Sequence, residues 1–504
     1  MAFRKGSITV FLSLLCMLFL AVLCSVTESA RVAGAKAQSA QLTGAGLYSS
    51  LAWFEKNLLE EYELLGVDGT CGGGWFSERK LERRLLSALE KSASPGEVLP
   101  SRWTMDLWRL SVTDARITEY ALLTDGKGEV FYQQAVAYMK ECFPAALAQQ
   151  LQLYEQEARE AEESAEKAEE LRKQNEDDLE SLERVRKERE KELREEAEQA
   201  GEAPPGPSGK NLLAEMTKLR FRNILKIVTG GCAISKSSLT ELLLPSKRIG
   251  KKGSMKLEKR HGGPVDDLLF REYLLQHFGN YRAQEEKSVL RYETEYLIAG
   301  KRSDELNLKS VAGRLVALRE GMNYLYCVEE GSISSRAGTL AFALTGFLGI
   351  PAITVATKHA LLFALAYGES LLDVKDLMNG GKIPLHKTDA SWALDPEDLG
   401  NLTAMLNSKE VLRKEGLSYR DYLRILLILG SVRKQRLRAL DLIESNLRKL
   451  PGTSGFKAEN CVTGIRVRTD WKIRPLFWSL ASTVTGIRGV DVSVQQNGAL
   501  AYDP

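Results

Sequence analysis

The chain opens with an apolar run, Ile8 to Val26 (ITVFLSLLCMLFLAVLCSV), that holds no charged residue and no proline. A helix crossing a hydrocarbon core of about 30 Å needs about 20 such residues, because in lipid the backbone must satisfy its own hydrogen bonds. No other stretch constrains the fold as strongly. Arg4 and Lys5 precede the run, and cationic flanks favour the cytoplasmic side. The expectation is a single-pass protein of the cell membrane. Residues 1–7 would be cytoplasmic, 8–26 transmembrane, and the bulk of the chain extracytoplasmic. Two other readings of this end stay open. A secretory signal would be cut after Ala30, although that puts Glu28 at the −3 position. A prepilin-type peptidase would cut after Gly6 and leave the apolar helix in place.

Residues 27–66 read as a helical stalk, with no proline to stop the helix. Ala30, Ala33, Ala37, Ala40, Gly44 and Leu47, continued by Leu51, Phe54 and Leu58, recur at spacings of three and four. That spacing draws one stripe along a helix. Small residues let a second helix approach closely. The stripe therefore serves self-association or a partner, or it packs on this chain's own head.

Residues 67–147 read as a small α+β head. It has a helix over Ser77–Ser92, strand formers over Leu107–Leu123, a turn at Thr124–Gly128 and a helix over Phe131–Cys142. Residues 148–200 form a charged rod. Between 155 and 198 there are 19 acidic and 10 basic side chains, so the rod is acidic within a chain of net charge only +2. A weak heptad seam runs through Leu151, Tyr154, Ala158, Ala161, Ala165, Ala168, Arg172, Asn175, Leu179, Leu182, Arg186, Arg189 and Leu193. Either a solvated single helix or a coiled coil fits it. Residues 201–262 read as a Pro/Gly and basic linker, starting with APPGPSG (Ala203–Gly209). It would be a solvated loop, or it would touch anionic wall polymers or headgroups.

Residues 263–504 read as a mainly helical carboxy-terminal domain with a terminal β-hairpin that turns at Asn497–Gly498. Its helices fall at Asp266–Phe278, Glu285–Ala299, Ser303–Tyr326 and, as a pair, Leu417–Ile443. Thr339–Thr357 is uncharged for 19 residues. It is a second span or a buried helix pair; Gly346, Gly349 and Pro351 interrupt it. The fold class is thus α+β and predominantly helical.

Chemistry is sparse. Glu369, Asp373 and His386, with His359, are the only polar cluster resembling a site. Glu369 and Asp373 sit four apart and so share a helix face. They would run acid–base chemistry or bind metal with a histidine, or else cap and pair with Lys375 or Lys382. The seven cysteines and four histidines show no ligand spacing, so no metal is expected. No cofactor and no catalytic residue is assigned. Gly230–Ser237 misses the phosphate-loop pattern, because Ser235 stands where glycine must precede the lysine. The small net charge gives no field for nucleic acid.

GSITVFLSLLCMLFLAVLCSVTESARVAGAKAQ and YSSLAWFEKNLLEEYELLGVD resemble the amino-terminal module of membrane proteins that accompany tight-adherence (Tad/Flp) pilus systems, TadE/TadG-like. YQQAVAYMKECFP, YETEYLIAGKRSDELNLK, LREGMNYLY, AYGESLLDVKDLMNGGKIPLHKT and LSYRDYLRILLIL resemble an uncharacterised family of Gram-positive membrane proteins with that kind of start. The resemblance implies a structural or assembly component of a tight-adherence-pilus-like surface system. Its partners would be the lipid bilayer and other pilus-like or secretion-system membrane proteins, or a second copy through the stalk helix. Pilin helices carry glutamate at the fifth mature position, where cleavage after Gly6 would put Phe11. The alternative is an exported enzyme or wall-binding sensor with a pocket in the carboxy-terminal domain.

Overall fold

The computed structural model describes residues 6–93, 106–142, 145–206, 223–240, 244–407, 413–478 and 490–502. Arg4, Lys5 and the end of the APPGPSG breaker lie outside the described residues. The helices are α1 (Gly6–Leu51), α2 (Lys56–Tyr62), α3 (Glu78–Ala93), α4 (Asp125–Cys142), α5 (Ala145–Ala200), α6 (Ile224–Val228), α7 (Pro264–His277), α8 (Glu293–Ala299), α9 (Asp304–Glu329), α10 (Gly331–Thr345), α11 (Pro351–Asn379), α12 (Leu402–Asn407), α13 (Tyr419–Ile428) and α14 (Val432–Leu447). The strands are β1 (Val67–Asp68), β2 (Leu110–Leu122), β3 (Cys461–Ile473) and β4 (Val492–Ala501). The chain is α+β and mostly helical.

Two compact units form. One contains Met1–Tyr138, Arg248–His261 and Leu447–Pro504, the other Met139–Lys247 and Gly262–Asn446. They cut across the consecutive segments expected from the sequence. The reason is strand pairing: β2 has no long partner nearby in the chain and pairs instead with β3, near the carboxy terminus.

In the sheet unit, β3 is central and every pairing is antiparallel. β2 runs along one edge from Leu110↔Ile473 to Leu122↔Val462. The other edge is shared by β4, from Gly464↔Ala501 to Ile473↔Val492, and by β1. Along β3, Val467, Thr469, Trp471 and Ile473 are buried at period two. They meet Ala35, Leu47 and Leu51 of α1 and Leu85 and Leu89 of α3 in one core. Each buried leucine there contributes roughly 1.5–3 kcal/mol. A terminal strand pair forms, β3 with β4, but it is not the expected hairpin turning at Asn497–Gly498. Those residues continue the ladder, opposite Arg468 and Val467. Glycine suits the strand because α1 crosses it closely: a Cβ on Gly498 would lie 2.7 Å from Leu47 Cδ1.

The basic linker is also not a free loop. Residues 248–261 strap along β2 and α4. Met255 N–H donates to Tyr120 O at 2.9 Å, and Gly253 N–H donates to Asp125 Oδ1 at 2.8 Å. Arg248 pairs with Glu459 at 3.0 Å, and Lys251 Nζ sits 3.5 Å from the centre of the Phe76 ring. The Thr124–Gly128 turn forms as expected, with φ of 63°, 64° and 80° at Gly126, Lys127 and Gly128.

In the helical unit, α5 packs against α7, α9, α11 and α13. The first half of the traced seam packs, but its partner lies within the chain. Leu151, Ala158, Ala161, Ala168 and Asn175 are buried, and Gly321 of α9 leaves room for the Ala165 backbone. The first half of the rod is therefore neither solvated nor a seam for a second copy. Alanines suit it because α9 comes too close for larger residues. Beyond Asn175 most of α5 is exposed and laced by surface pairs such as Lys187–Glu183.

Thr339–Thr357 forms the tip of a helical hairpin. α10 ends in a 3₁₀ turn at Gly346–Leu348, Gly349 takes φ 70°, and Pro351 opens α11. Each apolar arm is about 10 Å long at 1.5 Å per residue, far short of a ~30 Å span. Ala341, Leu348, Ile353 and Ala356 are buried, whereas Phe342 and Val355 are exposed. The segment is thus neither a second span nor a wholly buried pair. α8 starts at Glu293 rather than Glu285, because the preceding loop is held by side chains instead. Gly279 N–H donates to Glu293 Oε2 at 3.0 Å and Tyr281 N–H donates to Glu295 Oε1 at 2.9 Å.

Candidate functional site

Two polar constellations stand out, one in each unit. In the helical unit, α11 carries Glu369 and Asp373 inward on one face, both fully buried. Buried carboxylates need cations. Lys387 Nζ lies 2.5 Å from Glu369 Oε1 and 2.7 Å from Asp373 Oδ1. Arg413 reaches Asp373 at 2.7 Å and Glu369 at 3.2 Å. Arg319, from α9, donates through Nε to Asp373 Oδ2 at 3.0 Å and through Nη1 to Leu385 O at 2.6 Å. The second Glu369 oxygen accepts Leu394 N–H at 3.0 Å, and Asn323 bridges to Ser370 at 3.0 Å.

Burial pushes the Asp373 carboxyl up, but Arg319, Lys387 and Arg413 outweigh it and hold the group at about 2. Glu369 is shifted the other way, upward, by burial and by the neighbouring Asp373 charge. Both carboxylates are engaged by cations or backbone donors, and neither is reachable from solvent. The arrangement ties α9, α11, the 384–394 loop and Arg413 into one brace.

The expected companions lie elsewhere. His386 is exposed, with Nε2 3.9 Å from Glu160 of α5. His359 is half-buried, and its Nδ1 is 3.1 Å from the Tyr324 hydroxyl. Burial and then Lys358 push its pKa down. The carboxylate pair is therefore brought together with Lys387, Arg413 and Arg319, and not with either histidine. The sequence reading missed these three because no short spacing links them. The one available signal was that two carboxylates on an apolar helix face require buried cations. Among the described residues no group of three or more His, Cys, Asp or Glu side chains is placed to hold a metal. A separate groove of about 390 Å³ lies between α5, α9 and the end of α13, lined by Glu162, Glu166, Arg172, Arg314 and Phe363. Neither Glu369 nor Asp373 lines it.

The second constellation is a clamp on α1. Ile8–Val26 is the one stretch among the described residues long and apolar enough to cross a membrane, and its side chains are outside the packed core. The helix continues unbroken to Leu51. Two residues past Val26, Glu28 is buried and paired with Arg31 at 2.5 Å. Its carboxylate accepts Phe477 N–H at 2.7 Å and Leu476 N–H at 3.3 Å. Arg31 donates to Trp108 O at 2.7 Å and Arg474 O at 2.8 Å. Burial raises the Glu28 pKa, but the bond from Arg31 and the Phe477 and Leu476 amides outweigh it and hold the group below the usual carboxylate range.

The small-residue stripe is not the face that packs. Ala30, Ala33, Ala37 and Ala40 are exposed, Gly44 is half-buried, and Leu47 is buried. The packed face is Arg31, Ala35, Ser39, Thr43 and Leu47. It includes hydroxyls that an apolar stripe overlooks: Thr43 Oγ1 lies 2.8 Å from Thr469 Oγ1.

Comparison with known proteins finds no match among curated proteins and none among solved structures. A family of unknown function, DUF5702, matches residues 204–473. That span covers the charge brace and β3 but neither α1 nor α5. More than half of the sequence lies within the match, so the chain belongs to the DUF5702 family.

Proposed function

We propose that this chain is a membrane-anchored, extracytoplasmic structural or assembly component of a tight-adherence-pilus-like surface system. The observation that carries the reading is the continuity of α1. Its apolar half is exposed at a membrane-spanning length, and its second half is built into the sheet unit. Cleavage after Ala30 would remove Glu28 and leave Arg31 buried without its partner, which favours a retained anchor over a secretory signal. The exposed Ala30, Ala33, Ala37 and Ala40 remain free to meet another helix, from a second copy or a pilus-system membrane protein. The sealed Glu369–Asp373 brace lends no support to an exported enzyme or wall-binding sensor.

The test has two parts. The full chain should resist alkaline extraction from membranes, and a carboxy-terminal reporter should be active only outside the cytoplasm. Replacing Ala33, Ala37 and Ala40 together by leucine should abolish assembly while leaving the fold intact. Release into the medium would overturn the anchor. Unchanged assembly in the triple variant would remove the helix-packing role.

A further inference from the structure

Two chain segments leave the sheet side by side at the same end. Leu110↔Ile473 is the last pair of the β2–β3 ladder. Leu107-Trp108-Arg109 therefore enters the sheet next to where Arg474-Pro475-Leu476-Phe477-Trp478 leaves it. Arg474 N–H donates to Arg109 O at 3.1 Å, joining them. Both segments close on α1 at Glu28 and Arg31 through the bonds described above. Glu28 is two residues beyond Val26, about 3 Å along the axis. The backbone at 476–477 is thus fixed about 3 Å, and that at 107–108 and 474, held by Arg31, about 7.5 Å beyond the end of the apolar run.

Their composition suits that depth. Leu107 is exposed, and Trp108, Phe477 and Trp478 are half-buried. The Trp108 ring lies on α1 at Gly34, about 12 Å past Val26, so it serves the grip on α1 and leaves Phe477 and Trp478 as the rings beside Glu28. Arg109 and Arg474 are exposed, and neither pairs with a carboxylate side chain among the described residues. Arg109 Nη1 donates to Pro475 O at 3.1 Å. The acidic residue in the same segment, Asp106, is turned onto the Arg109 amide at 2.9 Å. Aromatic rings with guanidinium groups beside a membrane helix match the chemistry of the headgroup layer, where rings sit at the interface and arginine takes phosphate in a bidentate fork.

We propose that Leu107–Arg109 and Arg474–Trp478 form a collar that seats the sheet unit directly on phospholipid headgroups, with Arg109 and Arg474 engaging lipid phosphate. The collar rests on the anchor reading above and deepens it. The bilayer is its occupant because the collar is continuous with the membrane-length helix it grips.

The experiment uses the full chain in vesicles of phosphatidylcholine, with and without phosphatidylglycerol. One lipid probe carries a diazirine on its headgroup and another at the end of its acyl chain. Labelled peptides are read by mass spectrometry. The acyl probe should mark Ile8–Val26, and the headgroup probe should mark 107–109 and 474–478. Combining Arg109→Glu with Arg474→Glu should cut the headgroup adducts several-fold in phosphatidylglycerol vesicles and leave the acyl adducts unchanged. If the acyl probe marks Ile8–Val26 and the headgroup probe misses both segments, the collar is wrong and the anchor stands. If the acyl probe misses Ile8–Val26, both readings fall. Unchanged labelling in the double variant, or cross-links joining two copies through these segments, would also overturn the collar.

Discussion

The carboxylate of Glu28 accepts the backbone N–H of Phe477 at 2.7 Å, joining the start of the packed half of α1 to the exit of β3. The pair of Glu28 with Arg31 is buried, so removing one partner leaves the other charge without compensation. Glu28→Ala should destabilise the sheet unit by about 3 kcal/mol, on the scale of broken buried pairs. The double variant Glu28→Leu with Arg31→Met should cost less than either single change. Thermal unfolding in a membrane mimetic reads both. Equal stability of Glu28→Ala and the natural chain would show that the clamp carries no energy.

Lys387 answers both carboxylates of the brace at once, at 2.5 and 2.7 Å. Lys387→Met should destabilise the helical unit by roughly 3–5 kcal/mol. His386→Ala, next to it in sequence but exposed, should change stability by no more than about 0.5 kcal/mol. Denaturant titration followed by a probe in the helical unit checks the contrast. A brace of no structural weight would give two similar curves.

Two other buried acids make this unit sensitive to pH. Burial lifts Glu293 and Glu295 on α8 to about 7. Asn446 and the Gly279 amide oppose the rise at Glu293; the Tyr281 amide and the Tyr419 hydroxyl oppose it at Glu295. A raised carboxyl pKa means the folded state favours the proton. Its contribution is complete below about pH 4.5 and is lost as pH rises through about 7. Asp373 acts in the opposite sense only in strong acid, near 2, and His359, whose pKa is pushed down, opposes the trend within the window as one group against two. Stability of the helical unit should therefore fall between pH 5 and pH 8. Glu295→Gln should flatten that slope. A slope of the other sign would refute the assignment.

Gly253 holds the basic strap against β2. A Cβ there would collide with Asp125 Oδ2 and lie 2.6 Å from Tyr120 O. Gly253→Val should cost about 1–3 kcal/mol by overpacking. It should also raise amide exchange at Met255, whose N–H bonds Tyr120 O at 2.9 Å. Exchange confined to the rest of the sheet, with Met255 still protected, would count against the strap.

What the sequence revealed followed from local physics. The apolar length of Ile8–Val26 and the Thr124–Gly128 turn each depend on a few neighbouring residues. The seam of α5 was legible as a pattern, but its partner was not, because nothing local says whether an alanine face meets α9 or a second chain. β2 hid its partner for the same reason. Asn497–Gly498 misled because a glycine needed for the approach of Leu47 has the same letters as a hairpin turn. Of the candidate site, the Glu369–Asp373 pair was visible from helical periodicity. Arg319, Lys387 and Arg413 were not, since they converge only in three dimensions.

With Ile8–Val26 seated in a bilayer as proposed, the unbroken course of α1 would make the anchor and the sheet unit one lever. From Glu28 to Leu51 the helix climbs about 35 Å at 1.5 Å per residue. Membrane helices commonly lean by about 20°. Such a lean, with no hinge to absorb it, would swing the Leu51 end sideways by about 12 Å. Small changes in bilayer thickness or in helix partners would thus be magnified into displacement of the surface the sheet presents.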